Sequence, residues 1–94
     1  MTAPTLSAPQ LRVLRILFNS AEPLWALAVA RSTGIPHGTV YGTFRVLYDH
    51  GWAVGDTETS GGTGRPARVL YRLTKEGRAQ AATLLGETEK ENTR

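Results

Sequence analysis

The stretch TGIPHGTVYGTFRVLYDHG, residues 33–51, decides the fold of this chain. A turn that contains glycine and proline opens it, and Pro36 suits the first turn of a helix because the N–H that it lacks is not needed there. Gly51 suits the position just past the end of a helix. Between these ends, three apolar residues recur at three- and four-residue spacing and predict one buried helix face: Val40, Phe44 and Leu47.

The opposite face of this predicted helix combines small residues with residues that form hydrogen bonds. At about 100° per residue that face carries Gly38, Gly42, Arg45 and Asp49, with Thr39 and Tyr41 on its flanks. Glycine lets a helix come close to its partner, while Thr, Tyr and Arg can reach hydrogen-bonding groups. This combination is typical of a helix that enters the major groove of DNA.

Length and composition indicate one small globular domain. The 94 residues leave no room for a second core, and the absence of cysteine excludes disulfides, thiolate metal sites and cysteine catalysis. The N-terminal sequence MTAPTLSAPQ has neither the charged start nor the apolar run of a signal peptide. No apolar run approaches the roughly 20 residues that a membrane span needs. We therefore expect a soluble, cytoplasmic protein.

The positive charge is concentrated in the body of the chain. The net charge is +3 and the isoelectric point about 9.8; residues 1–73 contain seven Arg, no Lys and four acidic residues, whereas residues 74–94 are balanced. Arginine is the cation suited to bidentate contacts with phosphate or guanine. The alternative interpretation is an ordinary surface with a small basic excess.

Two further helices are predicted before residue 34. The first runs from Pro9 to Asn19 with Ser7 as a possible cap, and its apolar surface is wide enough either for a fully buried central helix or for packing against a second subunit. After the turn at residues 19–23, the second helix is predicted from about Leu24 to Thr33. Two short helices joined by a tight turn form a helix-turn-helix, whose second helix reads DNA.

A β-hairpin is predicted behind the helix-turn-helix. A short strand runs to Glu58, a glycine-rich loop follows, and the stretch from Ala67 to Leu73 alternates apolar and polar residues. A hairpin in this place is a wing, and Arg65 and Arg68 are positioned to meet phosphates or to enter a minor groove. The predicted fold class is α+β, mostly α: a winged helix-turn-helix with three helices, a two-stranded wing and a C-terminal helix.

The last helix is predicted to begin after Thr74, which caps it, and to end at Gly86. The domain organisation that follows is a flexible N-terminal arm over residues 1–8, the winged-helix domain over residues 9–85 and a charged flexible tail over residues 86–94.

Four sequence words occur in this order: TG-x-x-HGTVY at residues 33–41, GW at 51–52, GRP at 64–66 and YRLTKEGR at 71–78. Together they resemble the winged-helix domain of the PadR-like transcriptional regulators, over roughly Leu11 to Leu85. The MarR-like winged helices share the wing and the LT-x-EG word, and are a neighbouring assignment.

The resemblance implies sequence-specific binding of double-stranded DNA by a homodimer on a two-fold operator, usually to repress. The DNA-binding residues that it implies are His37, Gly38, Thr39, Tyr41, Gly42 and Arg45 on the helix and Arg65 and Arg68 on the wing. The family's long C-terminal dimerisation region is here reduced to one short helix and a tail, which leaves little room for a small-molecule effector. We expect dimer contacts from the first and last helices, at Leu14, Leu17, Ala82 and Leu85.

Several of these residues have a structural alternative. Arg45 either reads a guanine edge or pairs with Asp49 one turn later, and Tyr41 either touches DNA or packs at the edge of the domain. Trp25 and Trp52 are interpreted as core or interface aromatics. His50 is interpreted as a helix-end residue.

The sequence favours a binding protein over an enzyme. Two histidines without cysteine or clustered carboxylates make no metal site, and no nucleophile–base pair is visible, so we expect no catalysis, no metal and no cofactor. The alternative function is a winged helix that binds protein, as an assembly adaptor or as an antagonist of another regulator. Salt separates the two, because affinity for DNA falls steeply as salt concentration rises.

Overall fold

The computed structural model describes residues 5–58 and 68–92. Its four helices are α1 (Ala8–Asn19), α2 (Ala26–Thr33), α3 (His37–Asp49) and α4 (Lys75–Asn92). Its three strands are β1 (Leu24–Trp25), β2 (Ala53–Glu58) and β3 (Arg68–Leu73). The predicted α+β winged helix-turn-helix is confirmed, with one strand more than expected.

The start of α1 is determined by a reciprocal cap. The Ser7 hydroxyl accepts a hydrogen bond from the Gln10 N–H at 3.3 Å, and the Gln10 side-chain oxygen accepts one from the Ser7 N–H at 2.8 Å. This capping box satisfies two N–H groups that have no partner within the helix. The predicted cap at Ser7 is confirmed, and Ala8 already belongs to the helix.

The predicted start of the second helix at Leu24 is wrong. Leu24 and Trp25 form β1, which pairs antiparallel with β3 in the register Leu24–Tyr71 and Trp25–Leu70, and α2 begins only at Ala26. The backbone groups of these two residues find their partners on a strand that is remote in the sequence. Local helix propensity yields to this pairing.

The sheet is three-stranded and antiparallel, in the order β1-β3-β2. β2 and β3 pair from Ala53–Leu73 to Glu58–Arg68, which confirms the predicted hairpin. Tyr71 and Leu73 are buried while Arg72 is exposed, as the alternation of the sequence predicts.

The core lies between α1, α3 and the sheet. The predicted apolar face of α3 is confirmed, because Val40, Phe44 and Leu47 are completely buried. The Phe44 ring lies 5.0 Å from the Tyr71 ring of β3, centroid to centroid. At the two ends of the helix-turn-helix, Gly34 and Gly51 adopt φ angles of 79° and 74°, which glycine accepts without strain.

The first turn of α4 packs directly on the backbone of Trp52. The Thr74 hydroxyl donates to the Gly51 carbonyl at 2.9 Å and accepts from the Gly77 N–H at 3.0 Å, which confirms the predicted cap. The Thr74 N–H donates to the Trp52 carbonyl at 2.9 Å. A Cβ atom at Gly77 would lie 1.9 Å from that carbonyl oxygen, so only glycine fits this position.

The predicted end of the last helix at Gly86 is wrong, since α4 continues to Asn92. Gly86 does not take the positive φ of a helix-ending glycine, and glycine inside a helix costs only about 1 kcal/mol. Residues 87–92, assigned to the tail from the sequence, are therefore helical. The flexibility of the arm and the tail stays a prediction.

Three of the four predicted dimer residues belong to the core of the single chain. Leu14, Leu17 and Leu85 are 0%, 2% and 4% exposed, so the predicted interface is wrong at these positions. Their apolar surface is already covered by the chain's own helices and sheet. Ala82 is exposed and stays a prediction.

Candidate nucleic-acid interface

The predicted DNA-binding residues of α3 occupy the side of the helix that faces away from the core. His37, Gly38, Tyr41 and Arg45 are exposed, while Thr39 and Gly42 are half-buried. The 3.6-residue period accounts for this arrangement, since the four buried residues share the other side: Val40, Thr43, Phe44 and Leu47. The six positions therefore form one continuous surface, which we call the α3 face.

The folded chain does not require the two glycines of the α3 face. Neither Gly38 nor Gly42 has a positive φ, and a Cβ atom built on either would meet nothing within 4 Å. Glycine in a helix costs about 1 kcal/mol relative to alanine. Their smoothness therefore serves no contact within the described part of the chain, and it suits close approach by a partner.

Arg45 makes weak local contacts on the α3 face. Its Nη2 atom lies 3.7 Å from Asp49 Oδ1, and both side chains are exposed, so the ion pair anticipated from the sequence is present. An exposed pair four residues apart is worth only about 0.3–0.5 kcal/mol. The Arg45 guanidinium can therefore leave Asp49 for a stronger acceptor.

Tyr48 is a residue of this surface that the sequence interpretation missed. It is 46% exposed, and the Arg45 guanidinium carbon lies 5.1 Å from the centre of its ring. The available signal was the spacing, because Tyr48 follows Arg45 by three residues and Tyr41 by seven. Its ring restricts the positions that the Arg45 guanidinium can take.

Tyr41 does not pack at the edge of the core, which was its structural alternative. The side chain is 45% exposed, and its ring stacks on His37 with centroids 6.3 Å apart and an interplanar angle of 30°. His37 and Tyr41 thus present one flat, hydrogen-bonding surface at the start of α3.

The wing contributes Arg68, while Arg65 lies outside the described residues. Arg68 is exposed at the start of β3, and its guanidinium carbon lies 5.1 Å from the centre of the half-buried Trp25 ring on β1. This contact joins the wing to the start of α2. Trp52 is 5% exposed and belongs to the core, as expected.

Two other polar side chains stabilise helix ends. His50 Nδ1 lies 2.9 Å from the Val46 carbonyl oxygen, which confirms its interpretation as a helix-end residue. Arg78, missed from the sequence, donates to the carbonyl oxygens of Phe18 and Ser20 at 3.2 Å and 3.4 Å. It joins α4 to the end of α1.

The matching family model is that of the transcriptional regulator PadR-like family, over residues 26–83. This segment runs from α2 through α3 and the wing into α4. The chain belongs to the PadR-like family. Members of this family are DNA-binding transcriptional regulators, not enzymes. No curated protein sequence matches the chain.

Solved structures agree with the PadR-like fold. A PadR-like transcription factor from Bacteroides fragilis aligns with a TM-score of 0.73 and 20% identity, covering 89% of this chain and 82% of its own. A PadR family transcriptional regulator from Eggerthella lenta aligns with a TM-score of 0.72 and 22% identity, covering 87% and 75%. A transcriptional regulator homologue from Pyrococcus horikoshii aligns at 0.70 and 14% identity, covering 89% and 79%.

Two other kinds of site were examined in this PadR-like chain. Over residues 5–58 and 68–92, no three His, Asp or Glu side chains come close enough to hold a metal ion. In the same part of the chain, no helix has the length and apolar character to cross a bilayer.

Proposed function

We propose that this PadR-like protein binds a two-fold operator in double-stranded DNA as a homodimer and represses transcription by occupying it. The observation that carries this proposal is the α3 face: exposed His, Tyr and Arg side chains flank two glycines that the folded chain does not require. Such a face fits the major groove closely and still offers donors to base edges. Because its target is chromosomal DNA, we expect the protein to act in the cytoplasm.

In the proposed complex, α3 lies in the major groove. Arg45 exchanges its weak contact with Asp49 for the O6 and N7 atoms of a guanine, which accept two hydrogen bonds from one guanidinium. Gly38 and Gly42 allow the helix to approach the base edges. The contacts nearer the rim of the groove are His37, Thr39 and Tyr41, which meet phosphates or a thymine methyl group, and Arg65 and Arg68, which anchor the wing.

The proposed dimer uses the outer side of α4. With Leu14, Leu17 and Leu85 buried in the single chain, Ala82 is the predicted dimer residue that is still accessible. Ala79 lies three residues earlier, on the same side of α4, and is also exposed. Small side chains let two helices pack closely.

The test of the proposal is selection from random duplex DNA at physiological salt. A palindromic consensus is expected, and its half-site spacing reports the dimer geometry. Enrichment of a single half-site would contradict the homodimer but not DNA reading. If folded protein enriches no sequence, DNA reading itself is wrong, and a protein-binding winged helix becomes the better explanation.

Arg45→Ala is expected to weaken operator binding by about 1–3 kcal/mol and to relax the preference at one base pair, because one bidentate guanine contact is lost. Titration of the selected operator and of its single-base variants, by fluorescence anisotropy, measures both effects. Arg72→Ala is a matched control, since Arg72 is also exposed and lies 3.7 Å from a carboxylate, Asp56. Equal affinity of wild type and Arg45→Ala would refute the assignment.

A further inference from the structure

A shallow open cleft of about 370 Å³ separates the first half of α1 from the start of α3. Arg12 lines it on the α1 side, and Pro36 and Thr39 line it on the α3 side. The Arg12 side chain therefore lies beside the α3 face, although it belongs to a helix outside the helix-turn-helix. Neither the sequence words nor the family match includes this residue, since the match begins at residue 26.

Arg12 differs from the other arginines near this surface in its contacts. Arg45 lies near Asp49, and Arg72 near Asp56. Arg12 is exposed, and it has no hydrogen bond or ion pair with any residue in the ranges 5–58 and 68–92. A guanidinium carries five N–H donors, and those of Arg12 are available to a ligand from outside.

The position of Arg12 relative to the wing follows from the geometry of α3. Phe44 packs on Tyr71 of β3, so the flank of α3 next to Phe44, which carries Tyr41 and Tyr48, is the wing side. Thr39 lies on the opposite flank, about 160° around the helix from Tyr41. Since the cleft places Arg12 beside Thr39, α3 has the wing on one side and Arg12 on the other.

A helix in the major groove has a phosphate strand along each rim, because the groove is only about 12 Å wide. On the wing side, Arg68 is the described cation nearest to that rim. On the other side, Arg12 is the exposed cation that lines the cleft at α3. An arginine in this place meets phosphate oxygens as a bidentate donor.

We propose that Arg12 binds a backbone phosphate on the rim of the major groove opposite the wing, so that the DNA-binding surface extends onto α1. This inference rests on the proposed DNA-binding function and adds a contact to it. The contact contributes to affinity and to the orientation of the protein, not to the choice of base, because phosphates are alike at every sequence.

The first experiment compares Arg12→Ala with Lys75→Ala on the selected operator. Lys75 is exposed at the start of α4, at the end of β3 remote from the hairpin loop, and its loss changes the net charge equally. Arg12→Ala is expected to weaken binding about 3- to 10-fold and to lower the slope of log affinity against log salt by about 0.9, the value for one phosphate contact. Lys75→Ala should leave that slope unchanged, and both variants should keep the wild-type sequence preference.

The second experiment neutralises single phosphates of the operator with methylphosphonate linkages, one position at a time on each strand. Wild type is expected to lose affinity at one position on the rim opposite the wing, and Arg12→Ala is expected to be insensitive there. Thermal unfolding of Arg12→Ala should match that of wild type, since the side chain is exposed.

The outcomes separate the two proposals. If wild type binds no duplex specifically, the proposed function fails. If wild type binds its operator but Arg12→Ala keeps the salt slope and the methylphosphonate profile of wild type, only the α1 contact is wrong. Equal losses in Arg12→Ala and Lys75→Ala would reduce the effect to net charge and also overturn it.

Discussion

Gly77→Ala is expected to destabilise the folded chain by about 3 kcal/mol, the upper range for steric overpacking. The added Cβ atom would lie 1.9 Å from the Trp52 carbonyl oxygen and 2.7 Å from its carbonyl carbon. These are backbone atoms, so no rotamer change can relieve the clash. The first turn of α4 must move away, which also breaks the hydrogen bond between Thr74 N–H and that carbonyl.

Chemical denaturation followed by circular dichroism measures this effect. Gly86→Ala is the matched control, because it makes the same chemical change in the same helix at a position where a Cβ atom meets nothing within 4 Å. That control should be unchanged or more stable by up to about 1 kcal/mol, from helix propensity alone. If the two variants shift the midpoint alike, the packing of α4 on Trp52 is not as described.

Gly42→Glu is expected to reduce operator affinity about a hundredfold or more while the chain stays folded. The side chain would stand in the middle of the α3 face, where it would block close approach and place a negative charge against DNA, and like charges in contact cost several kcal/mol. The fold tolerates the change, because the Cβ position is open and glutamate is a better helix former than glycine.

Operator titration, with thermal unfolding alongside, tests this separation of binding from folding. The control is Ala21→Glu, which adds the same charge at an exposed turn beyond the end of α1. The cleft at the start of α3 is formed by the other end of α1, roughly 18 Å away for a helix of this length. Operator affinity that survives Gly42→Glu would exclude the α3 face as the reading surface.

The α3 face could be predicted from the sequence because every relation in it is local. The period of the helix places Val40 and Phe44 on one side and Gly42 and Arg45 on the other, whatever the rest of the chain does. Tyr48 obeys the same period, and it was missed only because no sequence word included it. Arg12 could not be placed in this way, because its distance from Thr39 depends on how α1 packs against α3.

The sequence by itself determined the elements whose signals are local. These are the capping box at Ser7, the glycine ends of α2 and α3, the alternation in β3, and the family words that identify a PadR-like winged helix. Each depends on residues within one turn or one strand, so the chain needs no distant partner to specify them.

The tertiary structure decided what depends on contacts remote in the sequence. Leu24 and Trp25 became a strand because β3 supplies their hydrogen bonds, and Leu85 became core because its own chain covers it. Gly77 would be a weak helix residue if judged by propensity, and only the Trp52 carbonyl explains it. Burial and backbone pairing override local preference, because an unpaired buried N–H or an exposed apolar face costs more than a residue's helix propensity.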